Sequence, residues 1–302
     1  MNENRNRAIT GILLLVFLFF IILMVFAYFT VKALKTGESF NYDGQNGTIA
    51  VVEVRGIILD SKETIRRLGK AAKASDIKAI VVRIDSPGGA IAPVQEIYHE
   101  ILRIDLEKPV YSSLASVAAS GGYYIASATR RIYSNAGTMV GSIGVIMPRV
   151  DMTELFKWAK LRPEPLTAGR FKDLAASYRP MSDEEREILQ SMLKDDHEQF
   201  IKDILLKRKE KIKGPVENVA EGQIFTGNQA MKLGLVDEIA GLWQAGRSIH
   251  EELKLSGEFG FKYIKRKKEF RFMKLLENID EVSSKMEFLT KWGNAPMFLM
   301  KW

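Results

Sequence analysis

With 302 residues, 46% of them hydrophobic and 27% charged, the chain has the apolar content for one large core or two small ones. It contains no cysteine, which excludes disulfides, thiolate nucleophiles and cysteine-ligated metals. The net charge of +7 does not point to nucleic acid, because residues 261–302 alone carry ten Lys/Arg against five Asp/Glu. A basic tail of that kind suits anionic lipid headgroups, or is a solvated face.

Residues 1–7 form a short leader. From Ala8 to Val31 the sequence AITGILLLVFLFFIILMVFAYFTV holds no charge over 24 residues, more than the roughly 20 that span a bilayer core. It is longer than the apolar stretch of a cleavable signal, and no clear A-x-A site follows it. The segment predicts an uncleaved membrane anchor. Arg5 and Arg7 on one flank oppose Lys32 and Lys35 on the other. The free amine and very short leader favour the N-terminus inside, with the bulk of a single-pass protein on the extracytoplasmic side. Residues 32–47 (KALKTGESFNYDGQNG) read as a polar, Gly-rich tether.

Beyond the tether, TIAVVEV at 48–54 predicts a buried strand, and 61–74 a helix with Ser61 as its cap. IKAIVVRID at 77–85 predicts a second strand, 92–105 a second helix and PVYSSL at 109–114 a third strand. The small-residue stretch SVAASGGYYIASA follows, then short strands at RIYSN and SIGVIM. A long helix from Ser182 to about Lys211 opens on a capping box made by Ser182 and Glu185. Strands alternating with helices at this spacing mean an α/β domain of crossover units.

Glycine-bearing segments sit after predicted strands, where open α/β sheets place their sites. In Asp85-Ser86-Pro87-Gly88-Gly89 the proline and glycines can turn amide N–H groups into a cleft to hold an oxyanion, although an ordinary strand-to-helix turn has the same composition. Ser120 stands where a strand gives way to a helix, with the amide of Gly121 beside it as a second donor. That is a nucleophile's place and equally an N-cap's. A serine nucleophile needs a base. His99, His197 and His250 all lie in charged, helix-like stretches and read as solvated surface groups, which disfavours a Ser-His-Asp triad. Lysine is the alternative base, provided that burial keeps it neutral. Lys172 is the candidate, in a Gly-containing loop beside Phe171, Leu174 and Ala175, and the loop Val140–Gly144 could bring in the Ser142 hydroxyl to orient its amine.

The segments VRIDSPGGA (82–90), SVAASGGYYIASA (116–128), AGTMVGSIGVI (136–146), TAGRFKDLA (167–175), RPMSDEER (179–186) and GQIFTGNQAMKLGLVDEIAG (222–241) keep the order and spacing of one family. Over roughly residues 48–255 the chain resembles the signal peptide peptidase A family in its short, single-domain form. The resemblance implies a Clp-protease/crotonase-like fold, a spiral of ββα units. It implies Ser120 as nucleophile and Lys172 as general base, with the amides of Gly121 and of Gly89 or Gly88 as oxyanion hole and Ser142 steadying the lysine. No cofactor and no metal are expected. Substrates would be signal-peptide remnants in the membrane, and copies would form a ring in which neighbours share sites. Arg170 and Phe171 depart from the family, which often has smaller or tyrosyl residues there, so a pocket wall would differ. Residues 256–302 form a basic and apolar extension, expected to touch the membrane surface or a neighbouring subunit. Three rival readings are a crotonase-type acyl-CoA enzyme, a related membrane peptidase acting on another protein, and a non-catalytic membrane scaffold; the pairing of Ser120 with Lys172 argues against the first and the last.

Overall fold

The structure, a computed structural model, describes residues 17, 19, 21–26, 47–265 and 297–299. The chain divides into two units, residues 1–44 and 45–302. In the first unit the described residues are helical, and their side chains are exposed. No helix among the described residues is long and apolar enough to cross a membrane. Most of the expected anchor over 8–31, and much of the extension over 256–302, lies outside them.

The second unit opens with β1 (Ile49–Arg55), α1 (Lys62–Lys73) and β2 (Ala79–Ser86), then a short strand β3 (Gly88–Ala90) that runs directly into α2 (Ile91–Asp105). β4 (Val110–Ala119) leads into α3 (Gly121–Ser127), followed by β5 (Ile132–Ser134) and β6 (Met139–Gly141). An arm carrying the short α4 (Thr153–Trp158) precedes the long α5 (Asp183–Arg208). The remaining elements are β7 (Ile224–Thr226), α6 (Gly227–Lys232), β8 (Glu238–Ile239), α7 (Leu242–Glu252), β9 (Phe261–Tyr263) and β10 (Met297–Leu299).

β1, β2 and β4 pair in parallel at the centre of a mixed sheet. β9 adds to β1 and β6 to β4, both in parallel, and β7 closes the far edge antiparallel to β6. β5 branches from β4 and carries β8. Parallel strands need crossovers, and the helices between them supply these. The β-branched runs are apolar on both sides because both sheet faces are covered. Ala50, Val52, Val54, Ile80, Val82 and Ile84 enter one buried cluster with the α2 and α3 side chains, while Ile49, Val51, Ala79 and Val81 enter another against α7 and β9. This α/β architecture agrees with the expected class.

Local details depart from the sequence reading at four places. The strand expected at SIGVIM lies earlier, at β6, because Gly141 (φ 100°) and Ser142 (φ 50°) turn the chain out of the sheet. β4 runs on through the small residues to Ala119 instead of ending at Leu114. Ser61 stands at the head of α1, but its hydroxyl donates to Glu96 of α2 and caps nothing. In the extension, residues 297–299 pair antiparallel with β3 of the same chain. The capping box of α5 is present as expected: Glu185 N–H donates to Ser182 Oγ (3.2 Å) and Ser182 N–H to Glu185 Oε2 (2.8 Å).

α3 lies directly on β2. A Cβ added at Gly122 would stand 2.7 Å from the Ser86 carbonyl oxygen, closer than two such atoms can come. Gly122→Ala is therefore expected to push α3 off the sheet and cost roughly 1–3 kcal/mol, read as a lower denaturation midpoint. An unchanged midpoint would mean that the helix can shift without loss.

Candidate active site

Ser120 is the hinge between β4 and α3, and it is fully buried. Its backbone takes φ 50° and ψ −117°, a region that non-glycine residues occupy only under constraint. Three contacts supply the constraint. Its N–H donates to the Gly141 carbonyl (2.7 Å), its carbonyl accepts the Tyr124 N–H (2.9 Å), and its hydroxyl lies 3.4 Å from the Gly144 carbonyl. A serine on a strained strand-to-helix turn is the geometry of a nucleophile elbow, here without the G-x-S-x-G pattern. The side chain caps no amide of α3, so the N-cap reading of Ser120 is not supported.

Ser142 lies close by in the fold because β4 and β6 pair with Ala119 opposite Gly141. Ser142 too has a positive φ (50°), and its N–H donates to the Gln223 carbonyl at 2.6 Å. With Gly144, Leu193, His197, Glu221 and Ile224 it lines a cleft of about 530 Å³.

The two glycines of the β2–β3 turn differ in use. Gly88 (φ 112°) donates its N–H to Ser86 Oγ at 3.1 Å. On one edge of β3, Ile58 donates to the Gly88 carbonyl (2.9 Å) and accepts from the Ala90 N–H (2.8 Å). Successive residues of a strand alternate sides, so the N–H and C=O of Gly89 face the opposite edge, where Phe298 of β10 stands across from it. β10 touches α3 as well. Only glycine fits at position 89, because a Cβ there would fall 2.0 Å from the Ile58 carbonyl oxygen. Gly121 is the first residue of α3, so its amide has no acceptor within the helix.

Lys172 is not brought to Ser120 within one chain by any hydrogen bond. It is exposed, and its Nζ has no hydrogen-bond or ion-pair partner among the described residues. The burial expected from its neighbours stops short of it: Ala175 is buried and Phe171 and Leu174 half-buried, but the lysine points away from cover. Its loop is nonetheless fixed. Asp173 accepts from Arg179 Nε (3.0 Å) and Tyr178 Oη (3.1 Å), and Arg179 grips both oxygens of Glu185 at 2.5 and 2.9 Å. The Arg179 guanidinium, then the Ser182 amide, hold the Glu185 carboxyl down to about 2, and Arg179 likewise lowers Asp173. This clamp joins the Lys172 loop to the head of α5. The capping box marked only half of it in the sequence. On the rest of the arm α4 buries none of its residues, and Val150, Leu155, Trp158, Leu161 and Leu166 are all exposed.

The histidines are less solvated than their sequence context implied. His99 is exposed, but His197 and His250 are half-buried; His197 Nε2 lies 2.7 Å from the Ala220 carbonyl, and the ring of His250 packs edge-on to Phe259. None of the three bonds to Ser120. Among the described residues no group of His, Asp and Glu is arranged to hold a metal ion.

The clamp yields a pH-dependent outcome. A carboxyl held below its ordinary value contributes stability above that value and loses it as pH falls through the folded one. The stability difference between the unaltered chain and Arg179→Leu should thus be constant from about pH 6 to 8. It should shrink below the ordinary 4.5 of Glu185 towards about 2, as chemical denaturation at each pH would show. A difference that persists undiminished at the acid end would deny the clamp its ionic character.

Comparison with known proteins adds one family match and three relatives. Peptidase family S49 matches residues 103–256, a stretch that includes Ser120, Ser142 and Lys172. A provisionally named protease of Synechocystis is 35% identical over 192 residues, covering 63% of this chain and 69% of that protein, and a provisionally named signal peptide peptidase SppA of Enterococcus faecium is 29% identical over 235 residues, covering 73% and 68%. The chloroplastic serine protease SPPA of Arabidopsis thaliana is 32% identical over 191 residues, which are 63% of this chain but only 28% of the plant protein.

Proposed function

Because this chain belongs to peptidase family S49 and is a serine peptidase, we propose that Ser120 is its nucleophile and that Lys172 of a neighbouring copy is its general base. The observation that carries this reading is that each group lacks its counterpart: a strained, buried serine with no base bonded to it, and an exposed lysine with no partner among the described residues on a pinned loop. The exposed apolar side chains of the same arm supply a surface for another copy to cover. A lysine acts as a base only when neutral, and loss of water favours that form. A neighbour packed on the arm would provide what the single chain does not. Such a contact between unlike surfaces generates a ring where its rotation closes.

In the proposed reaction the peptide takes the place of β10 and lies extended along that edge of β3, which releases the Gly89 amide. Ser120 Oγ attacks the scissile carbonyl as its proton passes to Lys172 Nζ. The amides of Gly89 and Gly121 receive the oxyanion, Gly88 being engaged by Ser86. Lys172 then protonates the departing amine, and water activated by the same lysine hydrolyses the acyl-enzyme. Ser142, beside the nucleophile's loop, orients the lysine amine. Signal-peptide remnants are the proposed substrates: the apolar run over 8–31 would hold the enzyme at the membrane, where such peptides reach high effective concentration. The name of the Enterococcus relative supports that substrate class.

Ser120→Ala and Lys172→Ala are each expected to abolish peptide cleavage, as is Lys172→Arg, whose guanidinium keeps its proton. Mixing the Ser120→Ala and Lys172→Ala proteins after dissociation and reassembly should restore activity, since some interfaces then pair an intact serine with an intact lysine. A silent mixture of subunits shown to have exchanged would place both groups in one chain, and an active Lys172→Arg would remove lysine as the base.

A further inference from the structure

A buried carboxylate lies outside the groups assigned so far. Asp203 of α5 is 4% exposed and forms no ion pair among the described residues. Its oxygens are met by neutral donors. Tyr124 Oη donates to Oδ2, Gln199 Nε2 to Oδ1 (2.9 Å), and Tyr98 Oη to the backbone carbonyl (2.7 Å). A buried acid without a cation costs stability that an apolar residue of similar size would not, so the position calls for a role other than packing.

Tyr124 connects this acid to the candidate nucleophile. Its hydroxyl is fixed by Asp203, its ring stacks on Phe200 (centroids 4.5 Å apart) and meets Tyr98 edge-on (4.9 Å), and its N–H donates to the Ser120 carbonyl at 2.9 Å. Burial first, and then the Asp203 carboxylate, push the phenol up, so it remains a protonated donor. Asp203 reaches the elbow through one side chain and one backbone hydrogen bond.

We propose that Asp203 is a positioning residue: acting through Tyr124, it holds Ser120 in the positive-φ conformation that aims its hydroxyl. The proposal rests on Ser120 being the nucleophile. The test uses the full chain in detergent and measures the rate at which a fluorophosphonate labels Ser120, beside KM and kcat for a peptide. Tyr124→Phe should slow labelling about tenfold or more, because small misplacements of a reacting group are costly, while KM stays within about twofold. Asp203→Asn, whose amide oxygen still accepts from the phenol, should label much faster than Asp203→Leu. Tyr98→Phe removes a hydrogen bond to the same acid's backbone but keeps the ring that meets Tyr124, and it should label at the unaltered rate even where its melting temperature falls. Unaltered labelling of Tyr124→Phe overturns the proposal, as does equal slowing in Tyr98→Phe, which would mark a general loss of stability. If Tyr124→Phe does not fold, equal labelling of Asp203→Asn and Asp203→Leu overturns it. Labelling of the unaltered chain at a residue other than Ser120 overturns the nucleophile assignment instead, and this inference with it.

Discussion

A serine does not rest at φ 50° and ψ −117° unless its surroundings hold it there, and much of the central sheet converges on holding Ser120. β4 delivers it, and β6 receives its N–H on the Gly141 carbonyl. α3 folds back from it onto β2, at a distance that only glycine at position 122 allows. Two adjacent tyrosines then anchor α3 in different directions. Tyr123 Oη donates to the Leu235 carbonyl at 2.9 Å, with its phenol pushed up to about 12 by burial, and Tyr124 Oη donates to Asp203. All seven residues of α3 are buried. The strain at one residue is thus spread over contacts with β2, β6, α5 and the segment before β8, which suits an atom whose direction matters more than its mobility.

Once Ser120 is fixed, the geometry of β3 follows as a second requirement. Ile58 takes one edge of that strand and so turns the Gly89 amide towards the other. That edge is paired with β10, and an edge of this kind accepts an extended backbone through main-chain hydrogen bonds, independent of sequence. A peptidase acting on varied apolar peptides, as proposed, would need such an edge, since backbone is what such substrates share. The pairing of residues 297–299 with β3 fits an edge open to an antiparallel strand.

The parts of this arrangement that were legible in the sequence are those that depend on local pattern. The runs TIAVVEV and IKAIVVRID read as strands because apolar residues on both faces are what a covered parallel sheet requires, and Ser182 with Glu185 announced α5. Ser120 and the glycine pairs were visible as motifs after strands. The features that escaped are non-local or conformational. SIGVIM has strand composition, but two consecutive positive φ angles carry it out of the sheet. The exposure of Lys172 could not be read from Phe171, Leu174 and Ala175, because their burial on the arm does not decide where a long side chain points. Nothing local links Tyr124 to Asp203 or Phe298 to Gly89, pairs far apart along the chain whose meeting is a property of the fold.

These observations separate the chemistry into two bodies of different character. The proposed nucleophile belongs to the buried sheet, where packing on both faces fixes it. The proposed base belongs to an exposed arm that is joined to α5 by the Asp173–Arg179–Glu185 clamp and by Arg170 on Glu184, and that shows Val150, Leu155, Trp158, Leu161 and Leu166 to solvent. An arm so exposed gains most when another surface covers it, and the same covering would strip water from the lysine. Under the proposed scheme, then, assembly and the activation of the base are one event: a lone subunit would carry an aimed serine without a competent partner. Under that scheme the arrangement would protect the cell from stray proteolysis without a separate inhibitor. It would do so because the energy that closes the proposed interface is also what would make the lysine a base.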